Sequence, residues 1–403
     1  MASALQGLKV VEWGEFVSAP YCGKMLADMG AEVVKVEPPS VGDGSRSIGP
    51  FPKGRANGET GGLFLYLNGN KLGVTLDLGR EAGISLMKEL LKEADAFITN
   101  YSPSTVEALG LDFESLQESH PQLIVATITP YGWTGPYRHY KGYDINICAL
   151  GGVTFSVGEE AREPLTLPCQ QGEYQAALGA VAGILTALMA REITGRGQQV
   201  DVAGAEVWAT VHSGGTVTTY LYQGVTGQRA GLRRRDLYPY VLLQCKDGQM
   251  CLIARDGYQW KRFLVDVMGR DDLAEHPRYR DRRVLAEQYP EEMDQQLLPW
   301  LMRHTRDEIF RLCLEQRVPF APVRRIDEVA ADPHLAARQF FVTIEHPVAG
   351  LVRQPGAPYR LSATPWQLRR PAPLLGRHNQ EVFGDWLKHS PDQLARFQEA
   401  GVI

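Results

Sequence analysis

Glu173 is a lone carboxylate at the head of GEYQAALGAVAGILTALMAREITGRGQ (residues 172–198), followed by an uncharged run from Tyr174 to Ala190 and a basic, Gly-rich close. Ala and Leu favour helix, so the stretch reads as a helix with Glu173 in its first turn. There the positive end of the helix dipole and the free N–H groups favour the ionised carboxylate. An ionised, oriented carboxylate at the edge of a core can act as a nucleophile. The same residue equally suits plain stabilisation of its own helix terminus, and the residue alone leaves both readings open.

Other chemistry-bearing types are sparse. The nine histidines are dispersed without ligand-like spacing, which argues against a metal site. No GxSxG elbow occurs, and the serines lack His and Asp companions. Asp144 in KGYDIN follows a glycine turn and reads as a helix N-cap before a catalytic group. Lys141 and the run Arg233, Arg234 and Arg235 read either as anion contacts or as solvated loop cations.

The helix that carries Glu173 is apolar on all sides, so it must be covered all round by protein or lipid. Its uncharged part is at the short edge of the roughly 20 residues of a membrane span and contains Gln175 and Thr186, so protein is the expected cover. Upstream, LKVVEW reads as a buried strand, Ser18 and Pro20 open a helix closed by Gly30, and AEVVKVE is a second strand. This is a βαβ unit. Residues 42–62, rich in Gly, Pro and cations, are expected to be an exposed loop. LGVTLDL, AFITN and LIVATIT continue as strands between helices, which predicts a doubly wound parallel sheet. GEF follows the first strand where a dinucleotide-binding GxGxxG would stand, and no Walker loop is present.

A length of 403 residues exceeds a single core and predicts two domains. A composition shift near Thr216 divides them: 1–215 is the N-terminal part of a large Rossmann-like domain, and 216–325 is a smaller α+β domain. The small domain contains a hairpin turning at KDGQ. Residues 326–403, rich in proline, read as a strap returning to the large domain. The net charge of −5 gives no electrostatic argument for nucleic acid or an anionic membrane as partner. The first residues lack a secretory pattern, and six scattered cysteines without a CxxC pair suggest reduced thiols, so a cytoplasmic location is expected.

Taken in order, LQGLKVVEW, KMLADMGAEVVKVEPP, LNGNKLGVTLDL, TNYSPSTVEALGL, YGWTGPY, KGYDIN, GILTALMAREITGRGQ, VPFAPV, DPHLAAR and PGAPYRLS resemble the class III CoA-transferase family over nearly the whole chain. That family includes formyl-CoA and carnitine CoA-transferases. The resemblance implies an α/β fold with a Rossmann-like large domain, a smaller central domain and two chains threaded into an interlocked dimer. It implies coenzyme A or acyl-CoA as substrate with no metal, small carboxylic acids as acceptors, and an aspartate nucleophile at the position of Glu173. Of the family's CoA-nucleotide positions, Lys141 is retained, Arg80 follows Gly79 where a lysine is usual, and Ala108 replaces an arginine. Tyr143 stands where the related racemases carry their catalytic histidine, which disfavours racemisation. Some members, benzylsuccinate CoA-transferase among them, are pairs of unlike subunits of which one carries the nucleophile. Three readings follow: a subunit working with a homologous partner chain on, for example, succinyl-CoA; a self-sufficient homodimer using Glu173; or a family-derived binding protein without transferase activity.

Overall fold

The computed structural model describes residues 3–54, 56–211 and 217–403. The chain forms two compact units: Met1–Val153 with Thr166–Tyr222 and His334–Ile403, and Thr154–Leu165 with Gln223–Pro333. The boundary placed by sequence at Thr216 lies outside the described residues.

The first unit is built on six parallel strands, β1 (Lys9–Trp13), β2 (Glu32–Glu37), β3 (Leu72–Thr75), β4 (Ala96–Thr99), β5 (Ile124–Thr129) and β6 (Gln199–Ala203). Their order is β3-β2-β1-β4-β5-β6, the doubly wound arrangement expected from the alternating pattern. The strands are short Val/Ile/Ala-rich runs because both faces are covered. One face packs under α1 (Ser18–Asp28) through Ala19, Cys22 and Leu26. The other packs under a helix at Glu81–Lys92 through Leu86, Met87 and Leu90. Glu12 of β1 is in register with Lys35 of β2, which places two charged side chains side by side in the sheet interior.

The long helix runs from Gln171 to Thr194 and ends at Gly195, whose φ of 68° makes the left-handed cap. Ala176, Ala177, Ala180, Ile184 and Ala187 lie on the sheet. Cover on every side is not what this chain provides. Leu178, Met189 and Ile193 are exposed, Ile193 at 89%, because the sheet is on one side only and no segment among the described residues covers them. By length and composition this helix is long and apolar enough to cross a membrane, a test that the core helix of a soluble protein also passes.

Residues 42–62 are the exposed loop expected only in part: Ser47, Ile48, Pro50 and 56–58 are exposed, while both ends are buried. Arg46 is buried, with its Nε and Nη2 2.7 and 2.8 Å from Glu37 and its guanidinium 3.7 Å from the Phe64 ring centroid. A charge whose donors are all occupied can be buried in a loop, and the Gly/Pro pattern carries no sign of that. The C-terminal segment occupies the free edge of β3: Gly73 N donates to His378 Nδ1 at 3.0 Å, His378 N to Gly73 O at 2.9 Å, Thr75 N to Asn379 Oδ1 at 2.9 Å and Asp77 N to Val402 O at 2.8 Å.

The second unit holds an antiparallel hairpin, Tyr240–Cys245 with Gly248–Ile253, joined by a third short strand and packed against helices. The predicted KDGQ turn is the hairpin turn, with Cys245 opposite Gly248.

Candidate active site

In an open parallel sheet, ligands bind beyond the carboxyl ends of the strands where the strand order reverses. Here the reversal is between β1 and β4. A cavity of about 180 Å³ opens at that point, lined among others by Glu15, Ser18, Asn100, Tyr101, Tyr143 and Glu173. A cavity of about 550 Å³ in the second unit is larger but chemically quieter. There Arg233 bonds Asp294 at 2.7 Å, Arg235 bonds Glu160, and neighbouring Arg234 bonds Asp236, so all three arginines are paired with carboxylates.

Glu173 reaches the cavity from the first turn of the long helix, and its side chain caps a different helix. α1 has Val17 at its N-cap position, which supplies no side-chain cap, so its first N–H groups need a partner from elsewhere. Ser18 N donates to Glu173 Oε2 at 3.2 Å, and the neighbouring Val17 N–H also favours the charged carboxylate. Glu173's own helix is capped by Asp144, whose Oδ1 accepts from Gly172 N at 2.7 Å and Glu173 N at 3.3 Å. Each of the two helix N-termini is therefore capped by a carboxylate from another element, α1 by Glu173 and the long helix by Asp144. Burial raises the Glu173 pKa above its ordinary 4.5, the Asp144 charge adds to this, and the N–H groups of Ser18 and Val17 oppose it without cancelling it.

The segment between β1 and α1 is held from outside. Asn100 Oδ1 accepts from Glu15 N at 3.0 Å, while its Nδ2 donates to Glu15 O at 2.8 Å and Ser18 Oγ at 3.0 Å. Phe16 has φ 60° in the left-handed region, and its N–H is anchored on Asp43 Oδ1 at 3.1 Å. Gly14 has no room for a side chain: an added Cβ would lie 2.5 Å from Ala19 Cβ and 2.6 Å from Asn100 Oδ1. Glu15 shares the cavity, and burial, with the Asp43 charge, raises its pKa.

Of the residues singled out in the sequence, Glu173 and Tyr143 line one cavity, and Lys141 is exposed one residue before Gly142 of its wall. Arg80 is not among the lining residues; it bonds Asp77 Oδ2 at 2.8 Å beyond β3. Asp144 is a cap, but of the Glu173 helix; its own helix, Asp144–Leu150, is closed by Asn146 Oδ1 accepting from Tyr143 N at 3.0 Å. Asn100, Asp43 and Glu15 were missed. Glu15 and Asn100 lie just past strands, Asn100 inside the block TNYSPSTVEALGL, and Asp43 lies six residues past β2. Among the described residues, no group of three or more His, Cys, Asp or Glu could hold a metal ion.

The model of CoA-transferase family III matches residues 5–379. The chain belongs to that family. The class III CoA-transferases similar to it include the succinyl-CoA–D-citramalate CoA-transferase of Chloroflexus aurantiacus, 34% identical over 99% of this chain and 98% of the relative. The alpha subunit of the succinyl-CoA–L-malate CoA-transferase of Chloroflexus aurantiacus is 33% identical over 99% of this chain and 92% of its own length. Among solved structures, a CAIB/BAIF family protein from Brucella suis superposes with a TM-score of 0.85 at 30% identity, covering 96% of this chain and all of the other. As a class III CoA-transferase the chain is an enzyme whose substrate is an acyl-CoA.

Proposed function

We propose that this chain moves CoA from succinyl-CoA or a similar small acyl-CoA to a small carboxylic acid, with Glu173 as the nucleophile. The observation that carries this reading is the Glu173 carboxylate in the switch-point cavity, held by the N–H groups of Val17 and Ser18. The carboxylate attacks the thioester carbonyl, forming a mixed anhydride and releasing CoA thiolate. The thiolate attacks the Glu173 carbonyl, releasing the donor acid and leaving a glutamyl-CoA thioester. The acceptor carboxylate attacks that thioester, CoA leaves, and CoA returns to the acceptor's acyl group as Glu173 is freed. Each step exchanges one acyl bond for another of similar energy, which is the gain of covalent catalysis. The acyl-CoA arm lies in the crevice between β1 and β4, with Lys141 at its outer end.

Two chains enclose the site in the interlocked manner implied by the family. Support comes from the open apolar stripe on the long helix at Leu178, Met189 and Ile193, a surface that a second copy would remove from water. A second reading, in which a homologous partner chain supplies an aspartate nucleophile, is favoured by the likeness to an enzyme made of named subunits and by glutamate at the nucleophile position.

The test is mass spectrometry of the purified protein with succinyl-CoA and a panel of acceptor acids, with hydroxylamine or borohydride trapping. A covalent adduct at Glu173, lost in Glu173→Gln, is expected. Transfer that persists in Glu173→Gln, with no adduct at Glu173 in the parent, overturns the assignment.

A further inference from the structure

Behind the cavity wall, Glu12, Lys35, Asp43 and Lys71 form a charge-balanced quartet, all at most 3% exposed. Lys35 Nζ is 3.0 Å from Glu12 Oε1, 2.8 Å from Asp43 Oδ2 and 2.9 Å from Gly14 O. Lys71 Nζ is 2.7 Å from Glu12 Oε2, 2.8 Å from Pro20 O and 2.9 Å from Asn68 Oδ1. Burial works against the Lys35 ammonium, but Asp43, Glu12 and Glu37 outweigh it and hold its pKa above the ordinary value. Buried ion pairs are commonly replaceable by apolar residues without loss of stability, so stability is a weak reason for this cluster. None of the four lines the cavity.

What the quartet holds is the segment between β1 and α1. Lys35 grips its first carbonyl, Gly14 O, and Lys71 grips Pro20 O in the first turn of α1, just beyond its other end. Between them Asp43 carries the Phe16 N–H, and the only side chain in the quartet free to reach both Lys35 and that N–H is Asp43. The α1 helix comes close enough to make this possible because position 23 is glycine: a Cβ there would fall 1.9 Å from Glu12 Oε2. With the ends and the middle fixed, the Val17 and Ser18 N–H groups are left facing Glu173.

We propose that the Glu12–Lys35–Asp43–Lys71 quartet is the positioning device of this site, fixing residues 14–20 so that the Val17 and Ser18 N–H groups meet the Glu173 carboxylate. The role in turnover rests on Glu173 being the nucleophile; the role in holding its carboxylate does not. The other titratable groups facing Glu173 are Asp144 and Cys148 from the helix at Asp144–Leu150, Glu15, Tyr101 and Tyr143 across the cavity, and Tyr174 beside it. None of them is changed in the test.

The experiment compares the full-length protein with Asp43→Ala and Asp43→Asn. The Glu173 carboxylate is titrated by difference infrared spectroscopy against Glu173→Gln, alongside kcat and KM for succinyl-CoA. With the Phe16 anchor gone, the N–H groups drift from Glu173, so its titration moves to higher pH in Asp43→Ala. The kcat falls about tenfold to a hundredfold, as misplacement of about 1 Å does, while KM stays within about twofold. Asp43→Asn keeps an acceptor for Phe16 N–H and loses only the charge, so it falls between the two, and it carries the test should Asp43→Ala not fold. A lower melting temperature alone, with the carboxylate titration and kcat unchanged in a folded variant, overturns the proposal. A shifted titration in a protein that transfers no CoA upholds the positioning and overturns the functional reading.

Discussion

Replacing Glu173 by aspartate, the residue that the family resemblance implies at that position, should slow the transfer proposed for this chain. Ser18 N lies 3.2 Å from Glu173 Oε2, and removing one methylene draws the carboxylate back by about 1 Å, stretching that contact to about 4 Å, beyond hydrogen-bond range. Two things are lost together: the reach of the attacking oxygen and the N–H groups that favour its charged form. A displacement of about 1 Å costs about a hundredfold in rate, or roughly 2.7 kcal/mol of barrier. Single-turnover transfer from succinyl-CoA, followed by trapping of the enzyme-bound thioester, measures the loss directly. Glu173→Asp is expected to form the same adduct about a hundred times more slowly, and Glu173→Gln none. An aspartate variant as fast as the parent would refute the reasoning, because it would mean that the segment at Val17 and Ser18 is not fitted to the longer side chain.

Three further outcomes follow from the same geometry. As the proposed nucleophile Glu173 would attack only when ionised, and its pKa is raised above 4.5, so turnover is expected to fall as pH drops through a value above 4.5. The folded state holds that proton where the unfolded chain has lost it, so stability declines as pH rises through the same window, a slope that denaturant titrations of the parent show and Glu173→Gln removes. Lys71→Met strips the cation from Glu12 Oε2 in a fully buried site and should lower the unfolding free energy by about 3–5 kcal/mol in a denaturant titration. Met189→Glu adds a charge to a residue 74% exposed in the single chain, so it leaves monomer stability within about 0.5 kcal/mol. If a second copy covers that stripe, light scattering shows the assembly reduced to single chains.

The sheet was legible because its strands are fully buried: VVEW, VVKV and IVATIT are apolar runs, and their spacing alternates with helical patterns. The charged residues inside those runs were legible only as exceptions. Glu12 and Lys35 become partners once β1 and β2 are known to be neighbours in register, a fact of strand order that neither run contains. Glu173 was visible through its place at the head of a helix and through family resemblance, but its hydrogen-bond partners come from residues 155 positions away. Asn100 and Asp43 act by grasping backbone of the segment after β1, and a side chain's grip on a distant main chain leaves no periodicity to read. The long helix was read as enclosed because its composition is apolar all round; composition records that cover is needed, not which chain provides it.

The C-terminal segment against β3 has a consequence for synthesis. The last bond on that edge joins Asp77 to Val402, 325 residues later in the chain. At about 5–20 residues per second, translation leaves the edge of β3 without its cover for roughly 15–65 s after the strand emerges. A bare strand edge of Leu72–Thr75 is a template for pairing with another nascent chain during that interval. The order of the gene thus sets a clock on this protein's vulnerability, and the residues that stop it are made 325 positions downstream of the edge they cover.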